Sequence, residues 1–121
     1  MVWCAGVLYH SPYPWLTLVR LRELTSEKLV LATASLPEVP GVSQAMVLYP
    51  GLSDRDQALY HRWGPTAQRG LRIPTLGEDP YAPWWFGITP SALRGMLRAA
   101  GFEPEEEWGD PFGRYVVARA V

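Results

Sequence analysis

With 121 residues, 48% of them hydrophobic, the chain is long enough for one globular domain with a single buried core. A net charge of −1 gives no overall field that would favour nucleic acid or an anionic membrane surface. One cysteine, Cys4, excludes an internal disulfide and any multi-cysteine metal site, and no apolar run reaches the roughly 20 residues of a membrane span. We therefore expect a cytoplasmic domain with no metal centre.

The first part of the chain predicts a strand, a helix and a second strand. Residues 2–8 form a continuous apolar run, which is typical of a strand buried on both faces. Pro14 suits the first turn of a helix, and an apolar face continues from there to Leu24. Residues 28–34 form the next buried run. Two buried strands joined by one helix predict a parallel pair.

The middle of the chain gives weaker signals. Residues 35–51 are irregular, and Ser53 is suited to cap a helix over residues 54–63. Residues 64–88 are rich in Gly, Pro and Trp and lack periodicity, so we expect a long loop, which in a compact domain is usually functional. Two adjacent aromatic residues of this loop, Trp84 and Trp85, are candidates for substrate binding, because their rings could form a platform for a substrate. The alternative is that they pack in the core or in a subunit contact.

The last part of the chain predicts a helix and a hairpin. Thr89 is placed as N-cap and Pro90 at the first position of a helix that ends at Gly101. Residues 102–108 and 114–121 are predicted strands, and the short connector between them predicts an antiparallel hairpin. We therefore expect an α/β fold with a small mixed sheet, in which parallel strands come first and an antiparallel hairpin last.

Several stretches resemble the class I methyltransferases that depend on S-adenosylmethionine (SAM). Gly6-Val7-Leu8-Tyr9-His10 followed by Pro14 is similar to the branch that contains the tRNA wobble-uridine carboxymethyltransferases. Residues 88–102 resemble the last helix and sixth strand of the family, and residues 114–119 resemble its seventh strand. The resemblance implies that residues 1–121 form a single domain with a truncated, Rossmann-like methyltransferase fold that corresponds to the C-terminal half of the family.

The resemblance also implies a cofactor site beyond the carboxyl ends of the parallel strands. Ala5, Gly6 and Tyr9 would line the methionine and sulfonium part of SAM. Arg114 matches a position where carboxymethyl-transferring members bind an extra carboxylate, a task that suits a guanidinium; a simple strand-end charge is the alternative. His10 is a candidate for substrate binding, or the ordinary end of a strand. No catalytic residue is assigned.

The family's Gly-rich cofactor loop and acidic ribose-binding residue have no counterpart in the sequence. The leading hypothesis is therefore a methyltransferase-like domain without a complete cofactor site, inactive alone, as a remnant or as half of a split enzyme. If it is active, it would transfer a methyl group from SAM. The alternative is a non-enzymatic interaction or small-ligand-binding module that uses the aromatic loop 64–88. Binding of tRNA is not expected, because no basic stripe is visible.

The predicted first strand would have no neighbour on its outer edge. An apolar strand with unpaired backbone groups is a template for association. We expect a homodimer or higher oligomer through this strand, or a separate chain that carries the missing half. By contrast, the acidic run Glu103–Glu107, which includes Pro104, is typical of a protected edge strand.

Overall fold

The computed structural model describes residues 1–48, 55, 85–110 and 113–121. The elements in these ranges are β1 (Val2–Ala5), a 3₁₀ helix (Leu8–His10), α1 (Pro14–Leu24), β2 (Lys28–Thr33), β3 (Met46–Leu48), β4 (Phe86–Ile88), α2 (Pro90–Ala99), β5 (Phe102–Asp110) and β6 (Gly113–Ala120). No helix in the described ranges is long and apolar enough to cross a lipid bilayer. The predicted helix over residues 54–63, apart from Arg55, and the loop from 64 to 84 lie outside them.

The main sheet of the described residues has the strand order β1-β2-β6-β5. Strand β1 runs parallel to β2, with Cys4 opposite Leu31, and β6 runs antiparallel to both β2 and β5. The predicted α/β class, with parallel strands first and an antiparallel hairpin last, is confirmed. The final strand lies between β2 and β5, so that β1 and β5 become the two edges of this sheet.

The hydrophobic core lies on one face of the main sheet, beneath α1 and α2. Side chains alternate across a strand, so every second residue of β2 and β6 points to this face. Leu18 of α1 and Leu97 of α2 are fully buried against it. The other large buried residues of this core are Cys4, Leu8, Leu29, Leu31, Ile88, Leu93, Phe102 and Val116.

The first strand is shorter and more exposed than predicted. The strand predicted over residues 2–8 ends at Ala5, because Gly6 adopts a positive φ of 71° and the chain turns into the 3₁₀ helix. The predicted burial on both faces is also wrong, since the side chain of Trp3 is 71% exposed. An apolar run does not distinguish a central strand from an edge strand, and β1 has a neighbour in the described residues only on the β2 side.

Two short strands lie in segments that the sequence indicated as irregular. Strand β3, within residues 35–51, pairs antiparallel with β4, which occupies the end of the predicted loop 64–88. Val47 lies opposite Gly87 at the middle of this ladder. Three-residue strands are too short to show a period of two, so the sequence pattern did not reveal them.

The start of α2 follows the predicted capping pattern. The Thr89 hydroxyl accepts a hydrogen bond from the Ala92 amide at 3.3 Å, and Pro90 occupies the first helical position. The Glu38 carboxylate adds a contact that the sequence did not indicate, because it accepts bonds from the amide and the hydroxyl of Ser91 at 2.6 and 2.7 Å. A carboxylate here also complements the positive end of the helix dipole.

The outer strand β5 carries the acidic run at the sheet edge, as its sequence predicts. Glu105 lies 3.0 Å from both the Lys28 ammonium and the Arg119 guanidinium. Hydrogen bonding to Lys28 is the largest cause that holds the pKa of the Glu105 carboxyl below its ordinary value. The folded chain therefore favours ionised Glu105 more than the unfolded chain does.

Replacing Glu105 with Gln is expected to make the chain less sensitive to mild acid. Folding lowers the pKa of the Glu105 carboxyl. Ionised Glu105 therefore stabilises the fold at pH values above the pKa that this carboxyl has in the unfolded chain, and the contribution is lost as pH falls through its pKa in the folded chain. The melting temperature of Glu105→Gln should lie below that of the wild type at pH 7, and the difference should vanish towards pH 3. Circular dichroism melts between these values test this, with the neighbouring Glu106→Gln as control; a difference independent of pH would contradict it.

Candidate functional site

A tight turn at Gly6 shapes the carboxyl end of β1. The Gly6 amide donates to the Ala32 carbonyl at 3.0 Å, which extends the β1–β2 pairing by one residue before the chain turns. The positive φ of 71° favours glycine, since a side chain would strain this backbone. A Cβ built at Gly6 would lie 3.9 Å from the Tyr9 hydroxyl. The hydroxyl of Tyr9 therefore folds back over the end of β1, close to Gly6 and the exposed Ala5.

The 3₁₀ helix after this turn presents two adjacent rings. Leu8 is fully buried and anchors the turn, while Tyr9 and His10 are half-buried with ring centroids 4.1 Å apart. Burial raises the pKa of the Tyr9 phenol above its ordinary value. The phenol is protonated at neutral pH in either case and carries a hydrogen-bond donor. The Trp85 amide donates to the Tyr9 carbonyl at 2.9 Å. The segment leading into β4 thus meets the end of β1 at this turn.

Arg114 lies at the same end of the sheet but belongs to a different set of contacts. In the β2–β6 pairing it stands opposite Thr33, the last residue of β2. Its Nε lies 3.4 Å from a carboxylate oxygen of Glu107, and this buried atom makes no hydrogen bond of good geometry. Glu107 also accepts bonds at 2.9 and 3.0 Å from Arg94 of α2. A single carboxylate therefore lies between two guanidinium groups.

Sequence reasoning did not connect Glu107 with Arg114. The signal that would have connected them is the hairpin register, in which Gly109 stands opposite Arg114 and leaves Glu107 as a diagonal neighbour. Gly109 also makes room for the guanidinium, because a Cβ there would lie 3.1 Å from Arg114 Nη1. The β-bulge between Pro104 and Glu106 lies farther from the turn than either residue, so counting outward from the turn would have given this pairing.

The predicted site residues that the structure describes lie at two separate places in the main sheet. Ala5, Gly6, Tyr9, His10 and Trp85 come together at the carboxyl end of β1. Arg114 lies two strands away, about 10 Å at the usual strand spacing. Trp84 lies outside the described residues.

The group at the end of β1 combines small residues, aromatic faces and one hydroxyl donor. In open α/β sheets, ligands bind at this end of parallel strands. Within the described ranges, no cluster of three His, Cys, Asp or Glu side chains is placed to hold a metal ion. These side chains are suited to binding and orienting an organic ligand.

Two solved structures share this architecture. Both are of the N-terminal domain of EvdMO1, one with SAH bound and one in the presence of SAH and D-fucose. The structure with D-fucose is 20% identical to the chain, covers 98% of it and has a TM-score of 0.54. The other is 18% identical, covers 99% and has a TM-score of 0.53. The chain has a methyltransferase-like α/β fold.

The likeness to EvdMO1 concerns the fold alone, because the sequences differ at four positions in five. The chain spans about half the length of the matched chains, 46% in each case. No family model matches the sequence, and no curated protein matches it. The predicted place in the tRNA wobble-uridine branch stays a prediction.

Proposed function

We propose that this chain is part of a SAM-binding methyltransferase-like domain and supplies one wall of the cofactor site. The observation that carries the proposal is the Gly6 turn, which sets Ala5, Gly6 and the Tyr9 hydroxyl at the carboxyl end of β1. The N-terminal domain of EvdMO1, which has the same fold, holds SAH. SAH is the molecule that remains after SAM has given up its methyl group.

The chemistry of this wall fits the sulfonium end of SAM. Ala5 and Gly6 add almost no side-chain bulk, so a ligand can approach the backbone closely. The aromatic faces of Tyr9 and its neighbour His10 attract a positive charge, and the sulfonium carries one. Methyl transfer depends mainly on orienting donor and acceptor, which such a wall assists without supplying a nucleophile. His10 and Trp85 would then face the methyl acceptor.

The contacts of Arg114 favour ordinary SAM over a carboxylated form. Binding an extra carboxylate would require Arg114 to exchange its neighbour Glu107, which lies 3.4 Å from Nε. Glu107 is held in turn by Arg94 at 2.9 Å. We therefore assign Arg114 to the support of β5 and β6, and we propose methyl rather than carboxymethyl transfer. The predicted alternative, an aromatic module built on residues 64–88, depends mostly on residues outside the described ranges.

Amide chemical shifts of the labelled chain, recorded during titration with SAH, test the proposal. Because the matched domain is about twice as long, we expect weak, millimolar binding by this chain alone. The perturbed amides should be those of Ala5, Gly6, Tyr9 and His10. Methionine should perturb the same amides, whereas adenosine should not.

The variant Tyr9→Phe removes the hydroxyl and keeps the ring. Loss of one hydrogen bond of about 1 kcal/mol corresponds to roughly five-fold weaker SAH binding. Tyr13→Phe is the matched control, because Tyr13 is 69% exposed and belongs to the turn before α1. Unchanged shifts at 10 mM SAH, or shifts that map to another surface, would overturn the proposed cofactor wall.

A further inference from the structure

The two edges of the main sheet differ in chemistry. Strand β5 carries the acidic run Glu103–Glu107, a proline and a β-bulge, which are features that block pairing with another strand. Strand β1 reads Val-Trp-Cys-Ala, without charge, proline or bulge. At the centre of this strand Trp3 is 71% exposed. One edge is protected against association, and the other is not.

The backbone groups that β1 offers at its open edge are identifiable. The Gly6 amide points toward β2, where it bonds to the Ala32 carbonyl. Because backbone groups alternate in direction along a strand, those of Cys4 also point toward β2. Those of Trp3 and Ala5 point away from it. This edge, which has no neighbouring strand within the described ranges, therefore presents two N–H and two C=O groups, from residues two apart.

We propose that a second copy of this chain pairs antiparallel with β1 across a two-fold axis that passes beside Cys4. In this register Trp3 of each copy faces Ala5 of the other, and each facing pair exchanges two hydrogen bonds. All four outward groups of each β1 are then satisfied. The two four-stranded sheets become one continuous sheet, closed by symmetry.

A second copy suits this edge because of the symmetry of the contact. In a two-fold dimer the same surface of each copy faces its counterpart, so a charged side chain close to the two-fold axis lies near the identical charge of the other copy. Pairing through β5 would place Glu106 near its own copy, beside the ion pairs of Glu103 with Arg98 and of Glu105 with Lys28 and Arg119. Pro104 and the bulge would also interrupt the backbone pairing of this strand. Pairing through β1 brings no charged side chain of the strand against its copy. On α1, Arg20 and Glu23 form an exposed ion pair at 2.9 Å. A second copy of α1 would therefore meet one positive and one negative side chain rather than a surface of one charge. Of the two edges of the described sheet, β1 is therefore the one that offers an uncharged strand for self-association.

Exposed apolar side chains reinforce the choice of this edge. Such side chains occur in β1, in α1 and in the turn between them, with Trp3 on the face of the sheet opposite to Cys4 and α1. They are Trp3, Val7, Tyr13, Trp15, Leu16 and Leu24. The proposed dimer would cover those nearest β1 and does not depend on the cofactor site, so its failure would leave the proposed function untouched.

Mass measurement by light scattering without ligand is the first test. We expect twice the chain mass of 13.6 kDa at micromolar concentration. Trp3→Lys should convert the dimer to monomer, because it places a charge at the centre of the pairing edge. The matched control is Trp108→Lys, which replaces an exposed tryptophan on the other edge strand and should stay dimeric. Circular dichroism confirms that each variant is folded.

Oxidative cross-linking tests the register. In this pairing the two Cys4 residues face each other without hydrogen bonds, with Cα atoms about 4.5 Å apart, which lies within the range of a disulfide. Two equivalents of copper(II) phenanthroline, each accepting one electron as the two thiols lose their protons and form the S–S bond, should give a covalent dimer. Moving the single thiol to position 3 with Cys4→Ser and Trp3→Cys should abolish it, since Trp3 faces Ala5 of the other copy.

Three results would overturn the proposal. The first is a wild-type monomer at 200 µM, which would leave a separate polypeptide as the occupant of the β1 edge. The second is a dimer that persists in folded Trp3→Lys. The third is equal cross-linking with the thiol at either position, which would indicate random collision rather than a fixed register.

Discussion

Replacing Phe102 with alanine is expected to lower the free energy of unfolding by about 3–5 kcal/mol, the usual cost of truncating a buried phenylalanine. Phe102 begins β5, is fully buried and packs in the core beneath α2. Its ring also lies 5.9 Å from the Arg22 guanidinium carbon, so the cavity would adjoin a charged group. Domains of this size have about 5–15 kcal/mol of stability in total, so the variant should lose a large share of its stability and unfold at a clearly lower urea concentration.

Urea unfolding followed by tryptophan fluorescence and circular dichroism measures this loss. Trp108→Ala is the control on the same strand, because Trp108 is 47% exposed and stacks on Tyr115 at a centroid distance of 5.5 Å. Its loss should stay near 1 kcal/mol, the value of one aromatic contact. Equal losses in the two variants would show that β5 is not anchored through Phe102.

Replacing Arg22 with alanine is expected to lower the free energy of unfolding by about 2–3 kcal/mol, since hydrogen bonds to charged groups are among the stronger ones. Its Nε donates to the Gly101 carbonyl at 2.9 Å, Nη1 to the Thr25 carbonyl at 3.0 Å, and Nη2 to the main-chain oxygen of Val121 at 2.8 Å. One side chain thus joins the end of α1, the turn before β5 and the end of β6.

The neighbouring Arg20 provides the comparison. Arg20 forms an ion pair with Glu23 on the surface of α1, and both side chains are more than half exposed, so Arg20→Ala should cost less than about 0.5 kcal/mol. Arg22→Lys should fall between the two, because an ammonium does not reproduce the planar fork that reaches three separate acceptors. If Arg22→Lys were as stable as the wild type, the positive charge of Arg22 rather than the geometry of its hydrogen bonds would account for its contribution to the free energy of unfolding.

Local sequence patterns predicted the elements whose causes are local. The Thr89-Pro90 cap fixed the start of α2, and Gly101, with φ 91°, follows its end. The hairpin followed from the short connector between β5 and β6. The parallel pair followed from two apolar runs with one helix between them. Each of these depends on residues close together in the chain.

The omissions depend on residues that are distant in the chain, whereas the misplaced end of β1 has a local cause. The end of β1 was misplaced because the apolar run continues through Val7 and Leu8 after the backbone has turned at Gly6. The Arg22 contact to Gly101 joins residues 79 positions apart, and no pattern within either segment announces it. In the candidate site, the motif around Tyr9 was visible in the sequence, whereas the approach of Trp85 to it was not.

The insertion of β6 between β2 and β5 has a consequence for the order of events during synthesis. Strand β2 has its second neighbour only when β6, which follows every other strand of the sheet in the chain, has left the ribosome. Until then β2 and β5 both display bare backbone edges, and the core beneath α1 and α2 stays open. Closing contacts between distant segments is slow. Nascent chains of this protein should therefore be prone to aggregate until β6 has left the ribosome and the sheet can close.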